Sequence, residues 1–302
     1  MDKVFYNKSS ADSLGWEPSW FGVAHHDEAL VKAIKGWQKE NDLKDDGLCG
    51  PTTYRRVWTE REANISKYIN RCPPQRNQSF IVCNTELVEI NWPKVVLWDR
   101  AYGFKANPGT YYDYSGKKDR SPTMFVNHWD VCLSSESCSK VLNKRGISVH
   151  FLIDNDGTIF QTLDTQHGAW HAGVGKINHK SIGVEISNAY YTKYQSWYEK
   201  NGFQPRPIVD DAWVNGNKLR EHLGFYDIQI QALQALWKAC AEAYDIPLQS
   251  ITSGDNNFKT STKTESKVAN GSFKGFVSHY HITKRKIDCG GLDIVALLED
   301  VK

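Results

Sequence analysis

The sequence predicts an α/β protein in which a mixed central sheet is flanked by helices, with a small all-α domain at the N-terminus. After about residue 80, short apolar runs of β-type residues alternate with helical segments, which is typical of α/β domains. Residues 149–153 and 158–160 are two such runs joined by an Asn/Asp/Gly turn, and this pattern predicts a β-hairpin. Residues 1–62 show helical periodicity instead. We therefore predict a helical domain at 1–62, a linker at 63–79 and the α/β domain at 80–302.

The N-terminal segment has the residues of a small helical module. Residues 28–40 carry apolar side chains at helical spacing, and an Asp/Gly turn at 45–47 follows them. Pro51 is suited to the first turn of a second helix. The pattern from Ala29 to Trp58 resembles the peptidoglycan-binding three-helix domain of cell-wall hydrolases. This resemblance implies that residues 1–62 bind the bacterial cell wall. Residues 63–79 are polar and contain consecutive prolines, which favours an extended linker.

The composition and net charge of the chain give no support for several classes of function. The chain has 302 residues and a net charge of +2, so its charge gives no argument for a nucleic-acid partner. No segment approaches the roughly 18 consecutive apolar residues of a membrane span. The seven cysteines are odd in number and lack CxxC spacing, which argues against a disulfide framework and fits synthesis in a reducing cytosol. The first residues contain no apolar core of a signal peptide, and we expect a monomer without a secretory leader.

The elements of the α/β domain follow one another in a regular order. Residues 124–128 read as a strand that ends in a histidine, and a helix is predicted at 134–143 with a serine N-cap. Residues 181–186 form another apolar strand. An amphipathic helix is predicted at 225–244. Further elements are a low-apolar loop at 253–271, a strand at 276–279 and a last helix at 292–298.

Four side chains in this domain suggest chemistry. His128 and His279 each follow a β-type run, and eight residues separate His279 from Asp288. Two histidines and one carboxylate leave a fourth coordination position open, which is the arrangement of a catalytic rather than a structural zinc site. Glu185 lies inside an apolar strand, where a carboxylate is costly to bury unless it is paired or functional.

From about Phe125 onward the chain resembles the zinc-dependent N-acetylmuramoyl-L-alanine amidase family, which includes bacterial amidases, phage endolysins and peptidoglycan recognition proteins. The resemblance covers most of the last two-thirds of the chain, in the order of the family. It is carried by five motifs: the first-strand His128, the hairpin at 148–161, the Ala-Trp-His-Ala-Gly motif at 169–173, Asn178 before the strand with Glu185, and the final segment with His279, Lys286 and Asp288.

The resemblance implies a role for each of these positions. His128, His279 and Asp288 would bind Zn²⁺. Glu185 would be the general base that activates the attacking water, and Lys286 would stabilise the oxyanion. The remaining positions, Trp170, His171 and Asn178, would contact the substrate.

Two alternatives for the ligands stay open. The family usually reads Asp-Pro-Gly or Cys-Pro-Gly where this chain has Asp288-Cys289-Gly290, so Cys289 competes with Asp288 for the third ligand position. His281 lies two residues after His279, on the same face of a strand, and is an alternative to it.

These observations predict a peptidoglycan hydrolase that cleaves the amide bond between N-acetylmuramic acid and L-alanine. A wall-directed substrate without a leader sequence suggests a phage endolysin released through a holin lesion, or a virion-associated lysin. The alternative is a non-catalytic peptidoglycan recognition or virion structural protein on the same scaffold. Retention of the ligand set, Glu185 and Lys286 favours the enzyme.

Overall fold

The structure is a computed structural model, and it describes residues 1–71, 79–117, 120–254 and 256–301. Residues 72–78 of the predicted linker therefore lie outside the described residues. The helices are α1 Lys3–Leu14, α2 Glu28–Glu40, α3 Pro51–Ile65, α4 Ser135–Lys144, α5 Gly175–Lys180, α6 Gln195–Lys200, α7 Asp227–Tyr244, α8 Ser266–Ala269 and α9 Ile294–Glu299. No helix among the described residues is long and apolar enough to cross a membrane.

The strands are short, and the central sheet uses six of them. They are β1 Ser79–Cys83, β2 Glu86–Ile90, β3 Val95–Leu97, β4 Tyr111–Tyr112, β5 Met124–Trp129, β6 Phe151–Ile153, β7 Ile159–Gln161, β8 Gly168–Ala169, β9 Ser181–Ile186, β10 Ile208–Val209, β11 Trp213–Val214, β12 Asn217–Lys218, β13 His222–Leu223, β14 Thr252–Ser253, β15 Asn256–Thr260 and β16 Gly275–Ser278. The order in the central sheet is β16-β5-β9-β6-β7-β3.

The central sheet is mixed, as predicted. Strand β5 pairs in parallel with both β16 and β9, and β9 pairs in parallel with β6. The predicted hairpin is confirmed, because β6 and β7 pair antiparallel across residues 154–158. The carboxyl ends of parallel strands meet at one edge of a sheet, so β5, β9 and β16 all end on the same side of the molecule.

The N-terminal residues form the predicted all-α region. The side chain of Asp27 caps α2 by accepting hydrogen bonds from the backbone of Ala29 and Leu30. Helix α2 matches the predicted segment 28–40, and α3 begins at Pro51 as expected. Helix α3 continues to Ile65, three residues past the predicted end of the helical domain.

The two faces of the central sheet have different partners. On one face Phe125 and Val184 belong to a core with α7, and the indole nitrogen of Trp237 donates to Oδ1 of Asn127 (3.1 Å). The other face carries Leu152 and Phe160. Their buried cluster is shared with α4 and the helical region, and its members are Ala11, Leu14, Trp16, Leu30, Ile34, Cys49, Tyr54, Val96, Cys132, Cys138, Val141, Leu142, Val149, Leu152 and Phe160. The helical region is thus packed on the sheet through a continuous apolar core.

Most other predicted elements are confirmed, and one is wrong. Ser134 caps α4 by accepting a hydrogen bond from the backbone of Ser137, and α7 and α9 lie within two residues of their predicted positions. Residues 253–271, predicted as a loop, contain β15 and α8. The backbone N–H and hydroxyl of Thr260 both donate to Oδ1 of Asp293, so a contact distant in sequence holds this segment despite its low apolar content. The cysteines in the described part of the chain are free thiols, as predicted.

Replacing Leu152 by alanine tests the shared core. Leu152 is fully buried between the sheet and the helical region, and Leu87 on β2 is 64% exposed. We expect Leu152→Ala to lower the free energy of unfolding by about 2–5 kcal/mol, because it removes apolar contacts and leaves a cavity. Leu87→Ala should change it by less than about 0.5 kcal/mol. Urea unfolding measures both, and equal effects would show that Leu152 is not in the core.

Candidate metal centre and catalytic cleft

The candidate ligands meet at the edge where the parallel strands end. His128 is the penultimate residue of β5 and lies directly opposite Glu185 of β9 in the strand register. His279 opens a 3₁₀ turn immediately after β16, at the next position along the same edge. Asp288 lies in the segment between this turn and α9, and its backbone carbonyl accepts a hydrogen bond from Tyr280 (3.1 Å). Three separate segments therefore deliver these side chains to one point.

The three side chains converge through single atoms. Nδ1 of His128 lies 2.9 Å from Nδ1 of His279, and each of these nitrogens lies 3.0 Å from Oδ2 of Asp288. One proton between two atoms can satisfy only one side of such a triangle, whereas a cation at its centre satisfies all three atoms. Among the described residues these three form a group that could hold a metal ion. The donor set of two imidazoles and one carboxylate is one that zinc accepts.

The protonation states at this site also suit metal binding. Burial and the neighbouring His279 lower the pKa of His128 to about 4, so its ring is neutral at pH 7. Burial alone would raise the pKa of Asp288, but His279 and hydrogen bonds from both histidines hold that pKa well below its usual value. Neutral imidazole and ionised carboxylate are the forms that bind metals.

His171 lies behind His128 and supports it. Its Nδ1 is 2.9 Å from Nε2 of His128, and its Nε2 is 3.1 Å from the hydroxyl of Ser181. A Cβ atom at Gly183 would lie 2.6–2.8 Å from the ring of His171, so only glycine leaves room for it there. The side-chain oxygen of Asn178 accepts hydrogen bonds from the backbone of His171 (3.3 Å) and Ala172 (2.8 Å). Contacts of this kind fix the ring orientation of a ligating histidine.

Glu185 is a buried carboxyl next to the triangle. It is 7% exposed, and its Oε2 has no hydrogen-bond partner within the protein. Burial raises the pKa of Glu185 to about 8, and the positive charges of Arg55 and Lys286 oppose that rise. Lys286 is half-buried, and burial lowers its pKa although the carboxylate of Asp288 acts in the opposite direction. A carboxyl group with a pKa near neutral is suited to exchange protons.

A cleft opens over this site and has walls from both parts of the chain. Its volume is about 940 Å³. Lys286 and Asp288 line it from the α/β side, while Arg55 and Arg56 line it from α3. The guanidinium of Arg56 lies over the rings of Tyr190 (5.0 Å) and Tyr191 (4.7 Å).

The structure separates the predicted site residues into two groups. It brings together His128, His279, Asp288, Glu185 and Lys286. Of these, Asp288 and Lys286 line the cleft, whereas Trp170, His171 and Asn178 are not among its described lining residues. Trp170 is half-buried, packs edge-on against Tyr112 with the ring centroids 5.5 Å apart, and leaves its indole nitrogen without a partner.

The two alternative ligands point elsewhere. Cys289 is fully buried in the core on the α7 face of the sheet. Nδ1 of His281 accepts from the backbone N–H of Ser278 (2.9 Å), and its Nε2 lies 2.7 Å from the carbonyl of Ser261. Both ring nitrogens of His281 are therefore engaged away from the triangle. The geometry favours Asp288 and His279.

Arg55 and Arg56 are cleft residues that the sequence did not predict. They belong to a helix more than 70 residues before His128, and no local pattern distinguishes them from other surface arginines. Only the packing of α3 on the α/β domain brings them to the cleft.

One comparison with known proteins identifies a family. A sequence model of the N-acetylmuramoyl-L-alanine amidase family matches residues 118–291, more than half of the chain. No curated protein matches the chain. Among solved structures, it is similar to a selenomethionine derivative of AmpD (19% identity, TM-score 0.36, 67% of this chain and 95% of that chain). It is also similar to the hydrolase AmiA of Staphylococcus aureus in complex with its ligand (15%, 0.39, 69% and 82%). A third is the Ph2119 endolysin from a Thermus scotoductus bacteriophage (17%, 0.38, 68% and 98%).

The matched residues include both histidines and the aspartate of the triangle, together with Glu185 and Lys286, and they exclude the helical region. The chain belongs to the N-acetylmuramoyl-L-alanine amidase family.

Proposed function

We propose that this protein is a zinc-dependent amidase that hydrolyses the bond between the lactyl group of N-acetylmuramic acid and L-alanine in peptidoglycan. The observation that carries the proposal is the triangle of His128, His279 and Asp288 beside the buried Glu185, in a chain of the amidase family. His128, His279 and Asp288 would hold the metal. When bound, zinc would supply Lewis-acid polarisation of the carbonyl and would lower the pKa of water.

The side chains of the protein account for the proton movements. Glu185 would accept a proton from the attacking water at Oε2, which has no partner within the protein. It would then donate this proton to the amine nitrogen of the departing L-alanine. The ammonium group of Lys286 would stabilise the negative charge that develops on the carbonyl oxygen. A pKa raised above the ordinary carboxyl value suits both steps, because it brings proton uptake and release closer to neutral pH.

The three residues expected to contact substrate have different support. Contacts with His128 and with the backbone at 171–172 favour a positioning role for His171 and Asn178. Trp170 remains the proposed substrate contact of the three, because its ring is only half-buried.

We further propose that residues 1–62 bind the cell wall and that the protein acts as a phage lysin. The support is the resemblance of the segment from Ala29 to Trp58 to wall-binding domains, in the same chain as an amidase domain. A soluble substrate would not require such a module.

Replacing Glu185 by glutamine tests the reaction. Purified protein should release peptides with new L-alanine amino termini from sacculi, detected by mass spectrometry of the digest. Glu185→Gln should reduce the rate by roughly 10²–10⁴, because a general base contributes about that factor. Its zinc content should stay near one ion per chain.

The exposed Glu86 on β2 gives the matched control, and Glu86→Gln should retain full activity. Glycan fragments with new reducing ends would indicate a glycosidase instead. Zinc-loaded protein that binds sacculi but releases no amino termini would support the non-catalytic recognition protein.

The buried Glu185 also predicts how stability depends on pH in metal-free protein. Its pKa is about 8 in the folded chain against an ordinary 4.5, so the folded state keeps a proton that the unfolded chain loses between these values. The free energy of unfolding should therefore fall as pH rises through this window, and glutamine removes the effect. The free energy of unfolding of Glu185→Gln minus that of the parent should increase by about 1 kcal/mol for each unit that the pH rises between 6 and 8. Urea unfolding after chelation measures this difference, and a constant difference would rule out a buried protonated Glu185.

A further inference from the structure

The helical region is fixed over the catalytic cleft by polar contacts as well as by the shared core. The hydroxyl of Thr59 donates to the carbonyl of Val131 (2.6 Å), and the indole nitrogen of Trp58 donates to the hydroxyl of Ser137 (3.0 Å). These contacts fix one side of α3 on the segment that follows β5. The opposite end of the region is held as well, because the hydroxyl of Tyr191 donates to the carbonyl of Asn41 (2.5 Å).

Two ion pairs extend this interface. Nζ of Lys193 lies 2.6 Å from Oε2 of Glu60 on α3, and Arg220 pairs with Asp42 in the turn after α2. Contacts thus surround the cleft on several sides, and α3 is held as one of its walls.

The cleft is strongly cationic. The positive side chains that line it are Arg55, Arg56, Lys218, Arg220, Arg285 and Lys286. Its acidic lining residues are Asp42, which pairs with Arg220, and Asp288, which belongs to the candidate metal site. A cleft with this excess of positive charge attracts an anionic ligand. Its volume also lies within the roughly 300–1,000 Å³ typical of small-molecule sites.

Arg55 is a cation of α3 that lines the cleft together with Lys286 and Asp288. Its Nε is buried and has no hydrogen-bond partner within the protein. Burial would lower the pKa of Arg55, but nearby groups, Glu185 first and Asp288 among them, reverse that effect, and Arg55 lines the cleft together with Asp288. Arg56, the next residue, lies over the rings of Tyr190 and Tyr191, and its Nε and Nη1 are likewise buried without hydrogen-bond partners within the protein. Buried polar atoms without partners are rare in folded proteins, so these guanidinium nitrogens are available to bind an anionic group in the cleft.

We propose that Arg55 binds a carboxylate of the stem peptide, on the residue that follows L-alanine, and that the helical region thereby supplies a specificity residue to the amidase cleft. This inference rests on the amidase function proposed above. An extended residue spans about 3.6 Å, so the residue after L-alanine lies close to the scissile bond and within the cleft. A guanidinium binds a carboxylate through two parallel hydrogen bonds and loses both an ionic and a geometric match when the acid is amidated.

Two substrates that differ in one group test the proposal. They are N-acetylmuramoyl-L-alanyl-D-glutamate and the same compound with D-isoglutamine, in which the α-carboxylate is an amide. The full-length zinc-loaded protein should have a kcat/KM roughly tenfold or more higher for the free acid. Arg55→Gln should bring the ratio of the two values close to one, mainly by raising KM for the acid. Arg55→Lys, which keeps the charge without the planar fork, should give an intermediate ratio.

The ratio of kcat/KM for the acid to kcat/KM for the amide separates substrate binding from other effects of Arg55. A loss of folding, or an influence of Arg55 on Glu185, would change both substrates equally and leave the ratio as in the parent. That result would overturn the proposal. Arg61, exposed on the same helix and placed over Trp20 (4.8 Å), gives the matched control, and Arg61→Gln should retain the parental ratio.

Equilibrium binding keeps the test independent of catalysis. Calorimetry with the product dipeptides L-alanyl-D-glutamate and L-alanyl-D-isoglutamine should show the same preference for the acid, and Arg55→Gln should abolish it. If neither muropeptide is hydrolysed but the acid dipeptide still binds through Arg55, the proposed reaction fails and the carboxylate site stands. If both muropeptides are hydrolysed without preference, the reaction stands and the carboxylate site fails.

Discussion

The parallel pairing of β5 with β9 and β16 is the constraint on which the site depends. In this register His128 lies opposite Glu185, and β16 ends at the same edge so that His279 follows immediately. Side chains alternate between the two faces of a strand, so a slip of one residue would turn either group into the apolar core under α7. The apolar neighbours of these residues prevent such a slip, since Trp129 and Val184 are buried in that core. Packing on one face thus sets the chemistry on the other.

Burial of charge is the second requirement, and it involves both parts of the chain. The edge holds the carboxyls of Glu185 and Asp288 with little exposure to water, at 7% each. Isolated buried carboxylates are unstable, and cations nearby or a bound metal offset the loss of hydration. Lys286 provides one such cation from the α/β domain, and Arg55 provides another from α3. The helical region therefore contributes to the electrostatics of the site as well as to its shape.

The sequence predicted the parts of this molecule that depend on local patterns. The hairpin at β6 and β7, helix α2 and the capped helix α4 follow from turn residues, apolar spacing and an N-cap, which act within a few residues. The convergence of His128, His279 and Asp288 could be expected from their motifs, although the sequence left Cys289 and His281 open as alternatives. Their exclusion needed side-chain directions, since Cys289 faces the core and His281 bonds to Ser261.

The support of His128 by His171, the strand β15 and the position of Arg55 depend on contacts between residues far apart in the chain. Spacing along the sequence does not encode such contacts.

The position of α3 also constrains how the proposed wall-binding module would work in this protein. A module on a free tether raises the local concentration of the enzyme at the wall and leaves the catalytic cleft unchanged. Here the hydrogen bonds of Trp58 and Thr59, and the apolar core around Tyr54, fix α3 against the α/β domain. Release of this interface would expose buried apolar surface and would remove Arg55 from the cleft. Because the intact interface holds α3 in place, proposed wall contacts made by the exposed sides of α1 and α2 would hold the cleft in a defined orientation to the glycan. In such an arrangement, the helical region would bind the polymer and select the peptide at the same time.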